Sequence, residues 1–115
     1  MPSKAVTQQK PDAVVAVLHE ALAATTQLYR DTHLAHFNVT GPSFPQLHQL
    51  FEQQYTELWE AIDQLAERVR ALGEPVDAEA FAARGEALPP SADGLLRQLA
   101  QSHRDAAERM MAMVR

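Results

Sequence analysis

Residues 32–73 read THLAHFNVTGPSFPQLHQLFEQQYTELWEAIDQLAERVRALG, which is the end of one amphipathic helix, a turn, and the whole of a second helix. The turn is Asn38-Val39-Thr40-Gly41-Pro42-Ser43, where glycine, proline and short polar side chains give the backbone local alternatives to helix. Pro45 suits the first turn of the helix that follows, because a first-turn residue has no intrahelical N–H bond to lose. From Phe44 to Leu72 an apolar stripe recurs at Leu47, Leu50, Phe51, Leu58, Ile62, Leu65, Val69 and Leu72. Gly73 then stands where helices commonly end in a left-handed residue. Two long helices meet in a hairpin.

Upstream, Pro11-Asp12 opens the first long helix, whose apolar residues are Val14, Val17, Leu18, Ala21, Leu28 and Ala35. Residues 1–10 are polar and unpatterned, so they are expected to be a flexible arm ahead of a helical domain over 11–115. Downstream, residues 78–84 predict one or two helical turns, Pro89-Pro90 stops them, and Ser91 caps a third long helix. Its stripe is Leu95, Leu99, Ala106, Met110 and Met113. With no strand alternation, internal repeat or low-complexity tract, the fold class is all-α, an up-down bundle joined by short loops. The third helix reaches Arg115 with neither glycine, proline nor cap, so the pattern of a four-helix bundle lacks its fourth long helix. The expectation is a truncated chain, or a face that a partner supplies.

A length of 115 residues suits one domain with a real core, and 46% hydrophobic against 22% charged residues lies far from the composition of disorder. No cysteine is present, so any metal must be held by nitrogen and oxygen. The start MPSKAVTQQKPD has no apolar signal core, and no run is long enough to span a bilayer, so a soluble cytoplasmic protein is expected. A net charge of −5, with only Lys4 and Lys10 in the arm, favours cations over DNA as guests.

His48, Glu52, Asp63 and Glu67 lie on the second helix within a fan roughly 100° wide. Each pair is one turn long, but Glu52 and Asp63 are separated by roughly 16 Å of rise, so one straight helix cannot bring them to one metal. The numbers 48 plus 67 and 52 plus 63 give the same sum, which makes the set symmetric about a point between Glu57 and Leu58. Two antiparallel copies would set His48 and Glu52 of one chain opposite Glu67 and Asp63 of the other, twice over, as an isologous contact requires. His36 and His48 both lie six residues from Pro42, so the hairpin sets them side by side. Imidazole and carboxylate without sulfur suit iron, zinc or manganese, and carboxylates that bridge two metals favour iron.

The same residues also fit a solvated helix edge, a hydrogen-bonded core histidine at His36, and a helical dimerisation module with no chemistry. His33, one turn before His36, fits either an approach to the site or plain surface. His19 and His103 lack ligand-spaced partners and read as structural. Trp59 shares the ligand edge near the symmetry point, either as an interface plug or as an electron donor. Asn38-Val39-Thr40 matches a glycosylation sequon but reads as turn chemistry.

The stretch from Thr32 to Gly73 closely resembles the signature region of the Dps proteins, the DNA-binding mini-ferritins of starved bacterial cells. The flanking helices fit that family more loosely, including a short helix between the second and third long ones. The resemblance implies a ferritin-like bundle with a ferroxidase centre at a twofold interface. His36, His48 and Glu52 would come from one subunit, and Asp63 and Glu67 from its mate. It further implies oxidation of Fe(II), often by hydrogen peroxide, storage of Fe(III) in a hollow twelve-subunit shell, protection from oxidative damage, and association with the nucleoid. Phe37 departs from the family, which often has Trp there, so Trp59 becomes the candidate electron reservoir. The missing fourth-helix pattern weighs against a closed shell and mineral storage.

The competing reading is a nucleoid DNA-binding protein with little iron storage. From the charge balance we expect no retardation of duplex DNA at physiological salt. A salt-sensitive mobility shift that vanishes on deletion of residues 1–10 would support the nucleoid reading instead.

Overall fold

The structure, a computed structural model, describes residues 2–82 and 91–114. Its elements are α1 (Pro2–Asn38), α2 (Phe44–Ala71), a short 3₁₀ helix (Ala78–Phe81) and α3 (Ala92–Val114). The all-α class read from the sequence is the fold observed. Among the described residues the β pairing amounts to an isolated parallel bridge between Thr40 and Ser91, and no helix is long and apolar enough to cross a membrane.

The turn does what its residues predict. Gly41 takes φ +112°, a conformation that side chains rarely adopt, and its carbonyl accepts the Phe44 N–H at 3.1 Å. Pro45 occupies the first turn of α2. At the far end, Gly73 at φ +87° donates its N–H to the Arg70 carbonyl and Glu74 donates to the Val69 carbonyl. This paired arrangement closes a helix on a left-handed glycine and satisfies carbonyls the helix would otherwise leave open.

Elsewhere three expectations change. The first helix opens at Pro2 rather than at Pro11-Asp12, so the backbone of the expected arm is continuous with α1. Lys, Ala and Gln are good helix formers, which explains why a segment without apolar periodicity still takes the helical conformation. The helical turns expected over 78–84 are, within the described residues, a 3₁₀ helix over 78–81 capped by Asp77, whose Oδ1 accepts the Glu79 N–H at 3.1 Å, and residues 83 and 84 lie outside the described residues. Pro89-Pro90 lies outside the described residues. Ser91 caps α3 as expected, its Oγ accepting the Gly94 N–H at 3.2 Å.

The third change is in the core. Around the hairpin tip Ala35, Val39, Phe51, Leu95 and Leu99 are buried together; further along, Leu22, Ile62 and Ala80 form a second cluster, and Ala24, Leu28 and Ala106 a third. The predicted stripe residues Leu50, Leu72, Val14 and Val17 are exposed. Leu50 precedes Phe51, and neighbours 100° apart on a helix cannot both face the same partner. Leu72 sits at the cap of α2. Val14 and Val17 precede Glu20, which pairs α1 with Arg109 of α3, and belong to none of the three buried clusters. The 3₁₀ helix is held to α1 by an Asp77 N–H that donates to His19 Nε2 at 3.0 Å, which gives His19 its structural role.

Phe51→Ala is expected to cost about 3–5 kcal/mol in urea unfolding because it empties a fully buried ring site, whereas Leu50→Ala should cost under about 1 kcal/mol.

Candidate metal centre

His36 ends α1 and His48 opens α2, and the Gly41 turn brings their rings to a centroid separation of 3.6 Å at an interplanar angle of 18°. His36 Nδ1 lies 2.8 Å from the His48 carbonyl oxygen, and His48 Nδ1 lies 2.7 Å from the His36 carbonyl oxygen. A carbonyl only accepts, so each Nδ1 carries the proton and donates. In the neutral imidazoles both Nε2 atoms are left with lone pairs, the form in which histidine binds metal. The bonds also fix ring orientation. Phe44 stacks on His48 at 4.9 Å, and His36 is buried, so the pair is packed as well as bonded.

Beside this pair lies an aromatic row. His33 stacks on Tyr55 at 3.9 Å and on Phe37 at 4.5 Å, shares a 3.1 Å hydrogen bond with Tyr29 through Nδ1, and meets His36 edge-on at 6.0 Å. Tyr55 also meets His36 edge-on at 5.2 Å. Burial, and secondarily the charge of His36 nearby, lower the His33 pKa below its ordinary value.

The carboxylates stand elsewhere. Glu52, Asp63 and Glu67 are all exposed on α2, along the edge that carries Trp59. Among the described residues of one chain no three His, Asp or Glu side chains converge as a metal-holding group. The hairpin therefore joins His36 to His48 and leaves the acidic members of the predicted set facing outward. The sequence reading missed the two backbone carbonyls and the parts played by Tyr29, Tyr55 and Phe44. The i,i+4 spacing of Tyr29 and His33 was a legible signal.

The ferritin-like domain family matches residues 15–115. The fold superimposes on Dps from Staphylococcus aureus with TM-score 0.69 and 32% identity, over 87% of this chain and 73% of that one. The chain belongs to the Dps proteins of the ferritin-like family. A Dps protein from Vibrio cholerae O1, a member of a broad superfamily of ferritin-like diiron-carboxylate proteins, matches with TM-score 0.74 and 25% identity, over 91% of this chain and 67% of that one. An uncharacterised low temperature-induced protein of Nostoc is 37% identical over 105 residues, 85% of this chain and 59% of its own length. The chain thus spans less than two thirds of that curated relative. Within this Dps-family fold, the histidine pair sits at the hairpin tip and the carboxylates along α2.

A His33 pKa lowered on folding makes the unfolded chain bind more protons just below the ordinary histidine value. Stability associated with His33 is therefore present above that value and declines as pH falls through the folded pKa. Histidine NMR titration of metal-free protein should show the His33 midpoint below 6.5, and a midpoint above 6.5 would contradict the burial described.

Proposed function

We propose that this chain is a Dps-like ferroxidase that oxidises Fe(II) at two composite sites in a twofold dimer, sequesters the Fe(III) product, and so protects the cell from oxidative damage. Each site takes His36, His48 and Glu52 from one subunit and Asp63 and Glu67 from the other. The observation that carries this reading is the reciprocal bonding of His36 and His48, which leaves two nitrogen lone pairs oriented on the chain that presents the outward carboxylates.

Within one chain Asp63 and Glu67 are too far along α2 to join His48, because a helix rises about 1.5 Å per residue. An antiparallel second copy removes that obstacle, since the set is symmetric about the Glu57–Leu58 point. The copy also brings Glu52 against Asp63 and Glu67, three like charges whose mutual repulsion a bound cation relieves. Ferrous iron is thus favoured as substrate and, by linkage, strengthens the dimer that binds it. Carboxylates favour the ferric product over the ferrous substrate, which drives the oxidation. Two ferrous ions supply two electrons to one hydrogen peroxide; with two protons, two waters form and no hydroxyl radical is released. Zinc and manganese suit the same donor types and are expected as competitors. A cytoplasmic homo-oligomer built on this dimer is the setting in which such an activity protects other molecules.

The test mixes two inactive chains. A His36→Ala/His48→Ala chain paired with an Asp63→Ala/Glu67→Ala chain rebuilds one intact centre per heterodimer. Ferrous oxidation with peroxide should recover to about half the wild-type rate per dimer, each homodimer remaining near background. Heterodimers verified by mass and by helical circular dichroism that recover nothing would sink the shared-site reading.

A further inference from the structure

Trp59 is the chain's one tryptophan, and it stands 59% exposed on the outer edge of α2. Tryptophan is enriched at the energetic centres of protein interfaces, and Trp59 stands on the outer side of a helix that buries Phe51, Ile62 and Val69. Beside it lies a cavity of about 230 Å³ lined by Tyr29, Tyr55, Thr56 and Trp59 itself. Three of its four lining residues are aromatic; the Tyr29 hydroxyl is shared with His33 Nδ1 at 3.1 Å, and the Thr56 hydroxyl is turned onto its own helix by a 2.8 Å bond to the Glu52 carbonyl. The lining thus supplies aromatic groups against which an indole can pack, with tyrosine hydroxyls among them that suit its N–H.

The register of α2 says what fills it. In the twofold pairing of the proposed iron site, on which this inference rests, facing residue numbers sum to 115, so position 59 of one copy faces position 56 of the other. Thr56 and Trp59 lie roughly 60° apart around the helix, on either side of the direction midway through the ligand fan. Each is roughly 2 Å of rise from the symmetry point, so both Trp59 side chains cross the axis where the helices come closest. We propose that Trp59 is the anchor of the dimer, seated against Tyr29, Tyr55 and Thr56 of a second copy of this chain.

The seat bears on the metal centre as well as on assembly. Tyr55 stacks on His33 and meets the ring of His36, so an indole against Tyr55 packs the outer side of the row that backs a ligand histidine. Assembly then supplies two things in one step, the missing carboxylates and a closed aromatic wall behind His36.

A single tryptophan makes the test direct. The 115-residue chain is concentrated through its monomer–dimer range while mass is read by sedimentation and Trp59 by its emission and iodide quenching. The expected result is a shift of emission to shorter wavelength, with loss of quenching, in step with the dimer fraction. Trp59→Ala should raise the dimer dissociation constant about 30-fold, as for a buried tryptophan anchor, and Trp59→Phe should recover most of that loss. Thr56→Arg, which alters the seat while keeping the fluorophore and an exposed helical position, should weaken the dimer about tenfold or more and leave the emission of monomer. Dimers whose Trp59 remains open to iodide, a chain that stays monomeric throughout, or a Thr56→Arg dimer of unchanged affinity and emission would each overturn the seat. Mixed chains that oxidise iron while Trp59 stays open would leave the shared site standing without this anchor. A buried Trp59 in dimers that oxidise no iron would keep the anchor and sink the ferroxidase.

Discussion

The two hydrogen bonds that His36 and His48 exchange with each other's backbone carbonyls are the constraint on which the rest of the structure depends. They cross the hairpin twice, at 2.8 and 2.7 Å, and so lock the end of α1 to the start of α2 as well as two rings to each other. A bond of this kind needs its proton on Nδ1 in the neutral ring, so the same contact that fixes the backbone register selects the tautomer with Nε2 open. Fold and chemistry therefore share one device. The Gly41 turn makes the crossing possible, and the cluster of Ala35, Val39, Phe51, Leu95 and Leu99 packs the same end of the bundle.

From that fixed end, α2 carries the remaining groups outward along a rigid ruler. A straight helix cannot bring Asp63 and Glu67 back to His48, so under the proposed reading these carboxylates would serve the histidines of a second copy. Their exposure is consistent with that reading, and so is an exposed tryptophan close to the point of symmetry. In the proposed dimer, like charges oppose the association and the Trp59 contact favours it, so assembly there would depend on the cation that enters between the carboxylates.

Much of this was legible in the sequence because it depends on counting. The hairpin followed from Gly41, Pro42 and Pro45, the end of α2 from Gly73, the cap of α3 from Ser91, and the closeness of His36 and His48 from their equal distance to Pro42. What counting could not supply was direction. Leu50 and Phe51 are both apolar, and only the packing of α1 and α3 decides that Phe51 turns inward. The polar start of the chain carries no apolar periodicity, yet its residue types favour helix, and α1 runs through it from Pro2. The partners of the two imidazoles are main-chain oxygens, which no side-chain pattern announces. The aromatic row was half visible, Tyr29 and His33 being one turn apart, whereas Tyr55 joins it only through the pairing of α1 with α2.

The central claim is that two chains share one iron site, and the location of the metal tests it most directly. Crystals grown with Fe(II) under anaerobic conditions, with data collected at the iron absorption edge, would place it. The account predicts paired anomalous peaks at the twofold interface, within coordination distance of His36 and His48 Nε2 of one subunit and of the Asp63 and Glu67 carboxylates of its mate. Iron bound wholly within one chain, or at a surface that excludes the histidine pair, would contradict it.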